Sequence, residues 1–553
     1  MRKIRLIACL TALCLLLSSC GLAELIPTKP AETAASSATA AESREESSAE
    51  STAPAPTEPA PTEPAPTEPA PTVPAPTEPE PVPIAQPLTL SGESEASCDW
   101  NSSYTAYYSR FSFSRVELCE ADAGAYPKLN EALAFWQTNR HDGFALPHYD
   151  YIKLEAPAYN AATHDILYYI ADCTAVRADD RVCSLVMSEA YKESDGIPRL
   201  DITGRVLDPA SGEALAPAQV VRDMEQLKAA LLAEGKKLGA GEAQLETYFA
   251  EIRDKDFQSV SWSVTNGSLD FYVSEKALGL SDSDRAAMIS IPFSAYPELV
   301  KPEYAAVPES YMQTLLRTGP MSYACPRSDV PDVEGITDGF GSISAIRLHI
   351  CRDELPSKDL PLFSYDFYPV LMHAADGSEY LYLTLVADND IRFTDIVKLP
   401  DCSILSEEAT YLCAPDDAAG VRGNGRVITD TAQLPMAKHT DLCGTATLFG
   451  TYGLQTDGKC KLLYAVLSYV HPQEMTLKKE FSFVLTDSSA ARKENVTLPA
   501  GTKLTRLLAT EDDFVIFRAE DGRLVGLQID TSWPQTVDGE TLTDILDGVI
   551  FAG

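Results

Sequence analysis

His141-Asp142, with His148 nearby, is the closest this sequence comes to a metal-ligand set, and loop histidines so placed are expected at the surface. Gly339-Phe340-Gly341-Ser342 sets a serine beside glycines. It lacks the Gly-x-Ser-x-Gly elbow that presents a nucleophile on a strand-to-helix turn. Asp282-Ser283-Asp284 and Asp388-Asn389-Asp390 alternate oxygen ligands without the glycine and distal Glu of a calcium loop. Paired carboxylates for glycoside cleavage can be drawn in too many ways among 81 acidic residues to single one out. Trp136, Trp262 and Tyr272 are candidates for a ligand-binding platform, although aromatic residues at strand and helix spacing more often fill a core. No residue is assigned a catalytic role, no cofactor or metal is expected, and the chain is read as non-enzymatic.

Cysteine usage points the same way. Ten cysteines lie beyond residue 97, without a CxxC pair or zinc-type Cys/His spacing. Cys173/Cys183, Cys402/Cys413 and Cys443/Cys460 are near enough in sequence to bridge adjacent strands outside the cytosol; the alternative is that all stay as free buried thiols. Net charge is −37, from 44 basic and 81 acidic residues. A face that acidic repels nucleic acid and steers cationic partners inward, or serves solubility alone.

The address is written at the start. Arg2, Lys3 and Arg5 precede an apolar run from Ile4 to Leu17, too short to span a bilayer of roughly 30 Å comfortably. The run ends in Leu17-Ser18-Ser19-Cys20, which resembles a bacterial lipoprotein signal. The resemblance implies that residues 1–20 are a signal peptide, that Cys20 carries diacylglyceryl on its thiol, and that the membrane is a partner through that lipid. The expected location is the extracellular face of the cytoplasmic membrane.

Residues 21–97 are Ala, Ser, Thr, Glu and Pro with almost no aromatics, and are expected to form a disordered tether. APTEP recurs at 55, 60, 65 and 75, with APTVP at 70. Prolines at that density favour extended polyproline II, and at about 3.1 Å per residue the stretch from Thr52 to Pro83 reaches roughly 100 Å.

Residues 98–553 exceed what one core usually holds, so more than one domain is expected. In 98–305, Tyr104–Leu118 alternates as a half-buried strand, and Pro127 opens a helix that places Leu129, Leu133 and Trp136 on one face. Two or three strands follow, then a helix over 221–238 and a hairpin around Asn266-Gly267 with a type I′ turn. The fold class is α+β: an antiparallel sheet with packed helices. Residues 306–490 carry short β-type runs such as SYDFYPVLMHA and EYLYLTLVAD between Asp/Gly/Pro turns, pointing to an antiparallel sandwich or barrel. Residues 491–553, with Pro499-Ala500-Gly501 and an Asp521-Gly522 hairpin, resemble a small SH3-like module, so a barrel-like ending is expected.

The first folded region resembles a second family. Its features are the Pro127-x-Leu129-Asn130 helix start, Arg181-Val182-Cys183-Ser184 before Tyr191, and the Asp208…Ser211-Gly212-Glu213-Ala214-Leu215 turn. Trp262-Ser263-Val264-Thr265-Asn266-Gly267-Ser268-Leu269-Asp270-Phe271-Tyr272 and Ile291-Pro292-Phe293-Ser294-Ala295-Tyr296-Pro297-Glu298-Leu299 complete it. The order is similar to the extracellular domain of the lysozyme-sensing anti-sigma factor RsiV, also an accessory domain in peptidoglycan deacetylases. Neither a sigma-binding part nor a deacetylase metal constellation is read in this sequence, so neither activity is carried over. The resemblance implies a domain that contacts peptidoglycan or a basic protein such as lysozyme, the latter suited to an acidic surface. A structural envelope protein without a specific ligand and a cell-wall hydrolase with an unrecognised site are the competing readings.

Overall fold

The computed structural model describes residues 83–551, outside 101–106, 255–259, 284, 320, 326–329, 338–342, 350–357, 361–363, 365, 388–390 and 414–426. The leader, most of the tether, Gly339–Ser342 and Asp388–Asp390 therefore lie outside the described residues.

The first region is built on a six-stranded sheet. Strand β1 (Leu90–Trp100) pairs antiparallel with β2 (Tyr107–Leu118), which buries Phe111 and Phe113 by its two-residue period. Strand β3 (Leu167–Ala178) lies parallel to β2 and antiparallel to β4 (Cys183–Lys192), which pairs with β5 (Pro198–Leu207). One parallel pair thus enters a sheet expected to be wholly antiparallel. The reason is the crossover between β2 and β3, made of α1 (Pro127–Arg140), a π-helical turn (His141–Ala145) and α2 (Leu146–Thr163). Pro127 stands at the first helical position, where its missing N–H costs no helix bond. Leu129 and Leu133 of α1 and Tyr149 and Ile152 of α2 pack on Tyr169, Cys173 and Met187 of the sheet.

A second core follows. Helix α3 (Met224–Lys237) starts later than its hydrophobic pattern, because the Asp223 carboxylate accepts the Glu225 N–H and fixes the N-cap there. With α4 (Glu242–Asp254) it covers a three-stranded antiparallel sheet: β6 (Trp262–Val264), β7 (Ser268–Ser274) and β8 (Ala286–Pro292). The β6–β7 hairpin is not of type I′, since neither Asn266 nor Gly267 has positive φ. The Thr265 hydroxyl instead accepts the N–H groups of Gly267 and Ser268, at 3.1 and 2.9 Å, and shapes the turn from its side chain.

The remainder is β-rich and layered. Strands β9 (Tyr311–Thr314), β15 (Asp366–His373), β16 (Glu379–Val386), β17 (Arg392–Lys398) and β18 (Ser403–Glu408) form an antiparallel sheet. The strands between, β10 (Leu316–Gly319), β11 (Ser322–Ala324), β12 (Asp332–Thr337), β13 (Ile343–His349) and β14 (Lys358–Leu360), form another. Phe367, Leu371, Leu381 and Leu383 pack between these two sheets. Their neighbours Val370, Met372, Tyr380 and Tyr382 face the opposite way, toward a third layer. Strands β15 and β16 are covered on both faces, which is why they read as unbroken apolar runs rather than alternations.

The third layer is an eleven-stranded sheet. It includes β19 (Thr410–Leu412), β21 (Leu434–Thr440), β22 (Ala446–Leu454), β24 (Leu467–Leu477), β25 (Phe481–Leu485), β26 (Asn495–Leu498), β27 (Lys503–Ala509), β28 (Phe514–Ala519) and β29 (Leu524–Gln528). The short β20 (Val427–Ile428) returns to the first sheet and pairs with β1. The expected barrel-like ending meets an open sheet instead. Strand β27 pairs with β24, so the final hairpins extend a larger sheet, and no closed barrel is present among the described residues. The architecture is α+β, dominated by antiparallel sheets.

Candidate functional site

A pocket of about 460 Å³ opens where the β6–β8 sheet meets the β9–β15–β16 edge. Three segments shape one side of it: the Asn266–Ser268 turn, Ser290 of β8, and Pro292–Ser294 at and just beyond its end. The Phe293 N–H donates to the Gly267 carbonyl at 2.8 Å, tying the end of β8 to the turn. On the opposite side, Tyr311, His373 and Glu379 stand in register across three adjacent strands, His373 facing Tyr311 on one side and Glu379 on the other. The Tyr311 and His373 rings stack with centroids 4.6 Å apart and planes 12° apart. His373 Nδ1 is 3.1 Å from Glu379 Oε1. A carboxylate only accepts, so this bond places a proton on Nδ1 and leaves Nε2 as an acceptor in the neutral ring.

Behind this pocket sits Asp270, sealed from solvent on β7. Its Oδ1 accepts from the Ser268 hydroxyl at 2.9 Å, and Ser290 bonds it as well. Its Oδ2 has no partner among the described residues. Burial pushes the carboxyl up to about 7, against the pull of the two serines. A neutral acid tolerates one bare oxygen far better than a carboxylate would. The wall formed by Ser268 and Ser290 is therefore polar without a full charge behind it.

A second polar cluster lies under the π-helical turn, a helix irregularity that is frequent at functional sites. Arg140, the last residue of α1, reaches the buried Glu189 of β4 with Nε at 2.9 Å from Oε2, and Tyr169 donates to Oε1 at 2.5 Å. Burial works against the Arg140 charge, yet the Glu189 bonds hold the guanidinium above its ordinary range. His148 lies against Tyr169 and Tyr191, with ring centroids 5.0 and 4.8 Å away, and its Nε2 is 2.8 Å from Glu193. A cleft of about 450 Å³ runs along β5 past Arg140, Tyr191, Arg199, Asp201 and Arg285. Arg140 is neutralised by Glu189, and Arg199 by Asp195 and Glu193, so only Arg285 brings an unpaired cation among the described residues.

The histidines expected at the surface are placed otherwise. His141 is buried in the π-helical turn, its two nitrogens bonded to Glu95 and Asp142, and His148 is half-buried on α2. Helix packing rather than a loop governs both positions. Among the described residues no group of three or more His, Cys, Asp and Glu side chains is arranged to hold a metal ion.

The three aromatic candidates belong to three different clusters and are not brought together. Trp136 packs at the edge of the first core, Trp262 stacks on Phe271 in the second, and Tyr272 fills a small cluster with Val176, Val186 and Leu316. The Tyr272 hydroxyl lies 2.8 Å from that of Ser263. Cys98, Cys173, Cys183, Cys443 and Cys460 are free thiols. Cys173 lies opposite Met187 and Cys183 opposite Ala178, so they do not face each other, and burial pushes the Cys183 thiol up to about 12.

Tyr311, His373, Glu379 and Asp270 were not singled out by sequence reasoning. One signal pointed to two of them. Asp376-Gly377 marks a tight turn, and a tight turn sets the residues flanking it, His373 and Glu379, across from each other.

No family model matches this chain, and no curated protein matches it. Two crystal structures of DUF3298 family proteins are similar to part of it, one from Bacteroides fragilis and one from Pseudomonas aeruginosa. Each is 11% identical and matches 40% of this chain, over 98% and 99% of its own length, with TM-scores of 0.29 and 0.27. Likeness that slight carries no argument about chemistry. Among the described residues, no helix is long and apolar enough to cross a membrane.

Proposed function

We propose that this is a cell-surface lipoprotein, anchored through lipid on Cys20, which binds a cell-envelope ligand without converting it. The ligand classes are peptidoglycan or a lysozyme-like basic protein. The observation that carries the binding half of this reading is the pocket between the β6–β8 sheet and the Tyr311–His373–Glu379 row. Pockets of roughly 300–1,000 Å³ lined by apolar walls and a few convergent polar groups are where ligands usually sit. The surface location rests on the leader and on the Pro/Thr/Glu-rich tether. The kinship to the RsiV extracellular domain belongs to the same reading, supported by the Asn266-Gly267 and Pro292–Ser294 parts of its motifs, whose residues line that pocket. The SH3-like likeness of the last residues rests only on their hairpin order.

The test is co-sedimentation of the chain with purified peptidoglycan and, separately, capture of lysozyme. Saturable binding without soluble fragments supports the proposal. Release of muropeptides makes the protein a hydrolase, and no binding to either leaves it structural.

A further inference from the structure

Resting on that reading, we infer that the pocket between the β6–β7 turn and the Tyr311–His373–Glu379 row is a subsite for one or two neutral sugar rings. The lining excludes other classes by its charges. Glu379 faces the pocket beside His373, so an anion gains no unpaired cation there, and a cation must compete with His373 for the carboxylate. A neutral ligand rich in hydroxyl or acetamido groups meets neither obstacle.

The polar groups present match that chemistry. Sugar hydroxyls donate to the Glu379 carboxylate and to His373 Nε2, for which no partner exists among the described residues. The Asn266 side chain, nearly buried at the turn, offers a donor and an acceptor together, the pair an acetamido group or a vicinal diol requires. Ser268 and Ser290 form a polar floor whose hydroxyls are oriented by Asp270, a group mostly uncharged below about pH 7. Flat apolar walls come from Phe293 and from the Tyr311–His373 stack, against which the C–H faces of a pyranose lie without losing hydrogen bonds. The volume of about 460 Å³ leaves room for one or two rings and their substituents but not for a folded protein loop.

The probe is the β1,4-linked disaccharide of N-acetylglucosamine, titrated into the full chain in detergent and followed by saturation-transfer NMR and calorimetry. Saturable binding is expected, weakened at least tenfold by His373→Ala and by Asn266→Ala, and unchanged by Arg285→Ala in the other cleft. If His373→Ala does not fold, judged by its melting curve, Glu379→Gln takes its place with the same tenfold expectation. Absence of saturable binding, or binding indifferent to both pocket variants, overturns the inference. Should the chain still sediment with peptidoglycan while failing to bind the disaccharide, this subsite is refuted and the broader proposal stands. Loss of both, with no capture of lysozyme, refutes the two together.

Discussion

Arg177 and Asp179 form a buried ion pair, Nε to Oδ2 at 2.6 Å, at the turn joining β3 to β4. Neither charge is left with spare bonding capacity toward solvent. Arg177 also donates to the Tyr304 carbonyl at 2.6 Å and to those of Ala306 and Thr265 at 3.4 and 3.5 Å. Asp179 accepts the N–H groups of Arg181 and Val182. One pair thereby clamps the first sheet to the β6–β7 turn and to the segment that leads into β9, two of the pieces that frame the pocket.

Breaking this clamp from one side leaves a charge uncompensated in the interior. Arg177→Met is expected to cost about 3–5 kcal/mol. The double variant Arg177→Met/Asp179→Leu should recover part of that loss, because no orphan charge remains. Urea denaturation of the three proteins checks this. Single variants within about 1 kcal/mol of the parent would show that the clamp is dispensable.

Asp270 sets a pH dependence of unusual sign for a carboxyl. Its folded-state pKa is raised to about 7, whereas an unfolded aspartate titrates near its ordinary value of about 3.9. Below the ordinary value both states hold the proton and no cost arises. Between the two values only the folded state holds it, so stability falls as pH rises, and above about 7 the whole cost is present. At about 1.4 kcal/mol per tenfold change in proton affinity, the loss is a few kcal/mol. Asp270→Asn removes the titration, so the difference in stability between parent and variant should shift by that amount from pH 4 to pH 8. A constant difference across that range would contradict the assignment.

Gly458 has φ of +79°, and a Cβ there would come within 2.3 Å of the Tyr380 ring. Its carbonyl accepts the Tyr382 hydroxyl at 2.6 Å, and the Tyr380 hydroxyl donates to Thr456 at 2.8 Å. The β22–β23 loop of the largest sheet, leading to β23 (Cys460–Leu462), is thus pinned to β16 by two tyrosines. Gly458→Ala combines left-handed backbone strain with an overpacked ring, and is expected to cost about 1–3 kcal/mol. Tyr382→Phe, which loses only a hydrogen bond, should cost about 1 kcal/mol. Thermal melting ranks the two, and the reverse order would mean that the loop moves aside freely.

Local patterns carried the fold further than they carried the site. The two-residue period of Phe111 and Phe113 and the Pro127 helix start are visible because each depends on neighbours in sequence. The placement of β27 beside β24 is not visible, because the β25–β26 hairpin lies between them and the pairing is decided by a core shared with β15 and β16. The same holds for the pocket. Its Asn266 turn stands out in the text, yet its geometry is set by the Thr265 hydroxyl rather than by the glycine. Tyr311 joins His373 only through the β9–β15 pairing, and Asp270 becomes unusual only once packing removes its water. His141 was read as a surface loop residue because a π-helical turn between two helices has no signature that periodicity can detect.

The anchor is the remaining point at which chemistry decides biology. The diacylglyceryl group proposed on Cys20 would bring two chains, and two acyl chains hold a protein stably where one gives only marginal binding. A net charge of −37 disfavours adhesion to an anionic membrane surface, and the tether supplies few basic residues. Cys20→Ala is therefore expected to move the protein wholly from the membrane fraction into the soluble fraction of expressing cells, with loss of metabolic labelling by palmitate. Detergent phase partitioning checks it. Retention of the variant in the detergent phase would mean that the apolar run from Ile4 to Leu17 remains as an uncleaved anchor, and the lipid on Cys20 would then be unnecessary to hold the chain at the membrane.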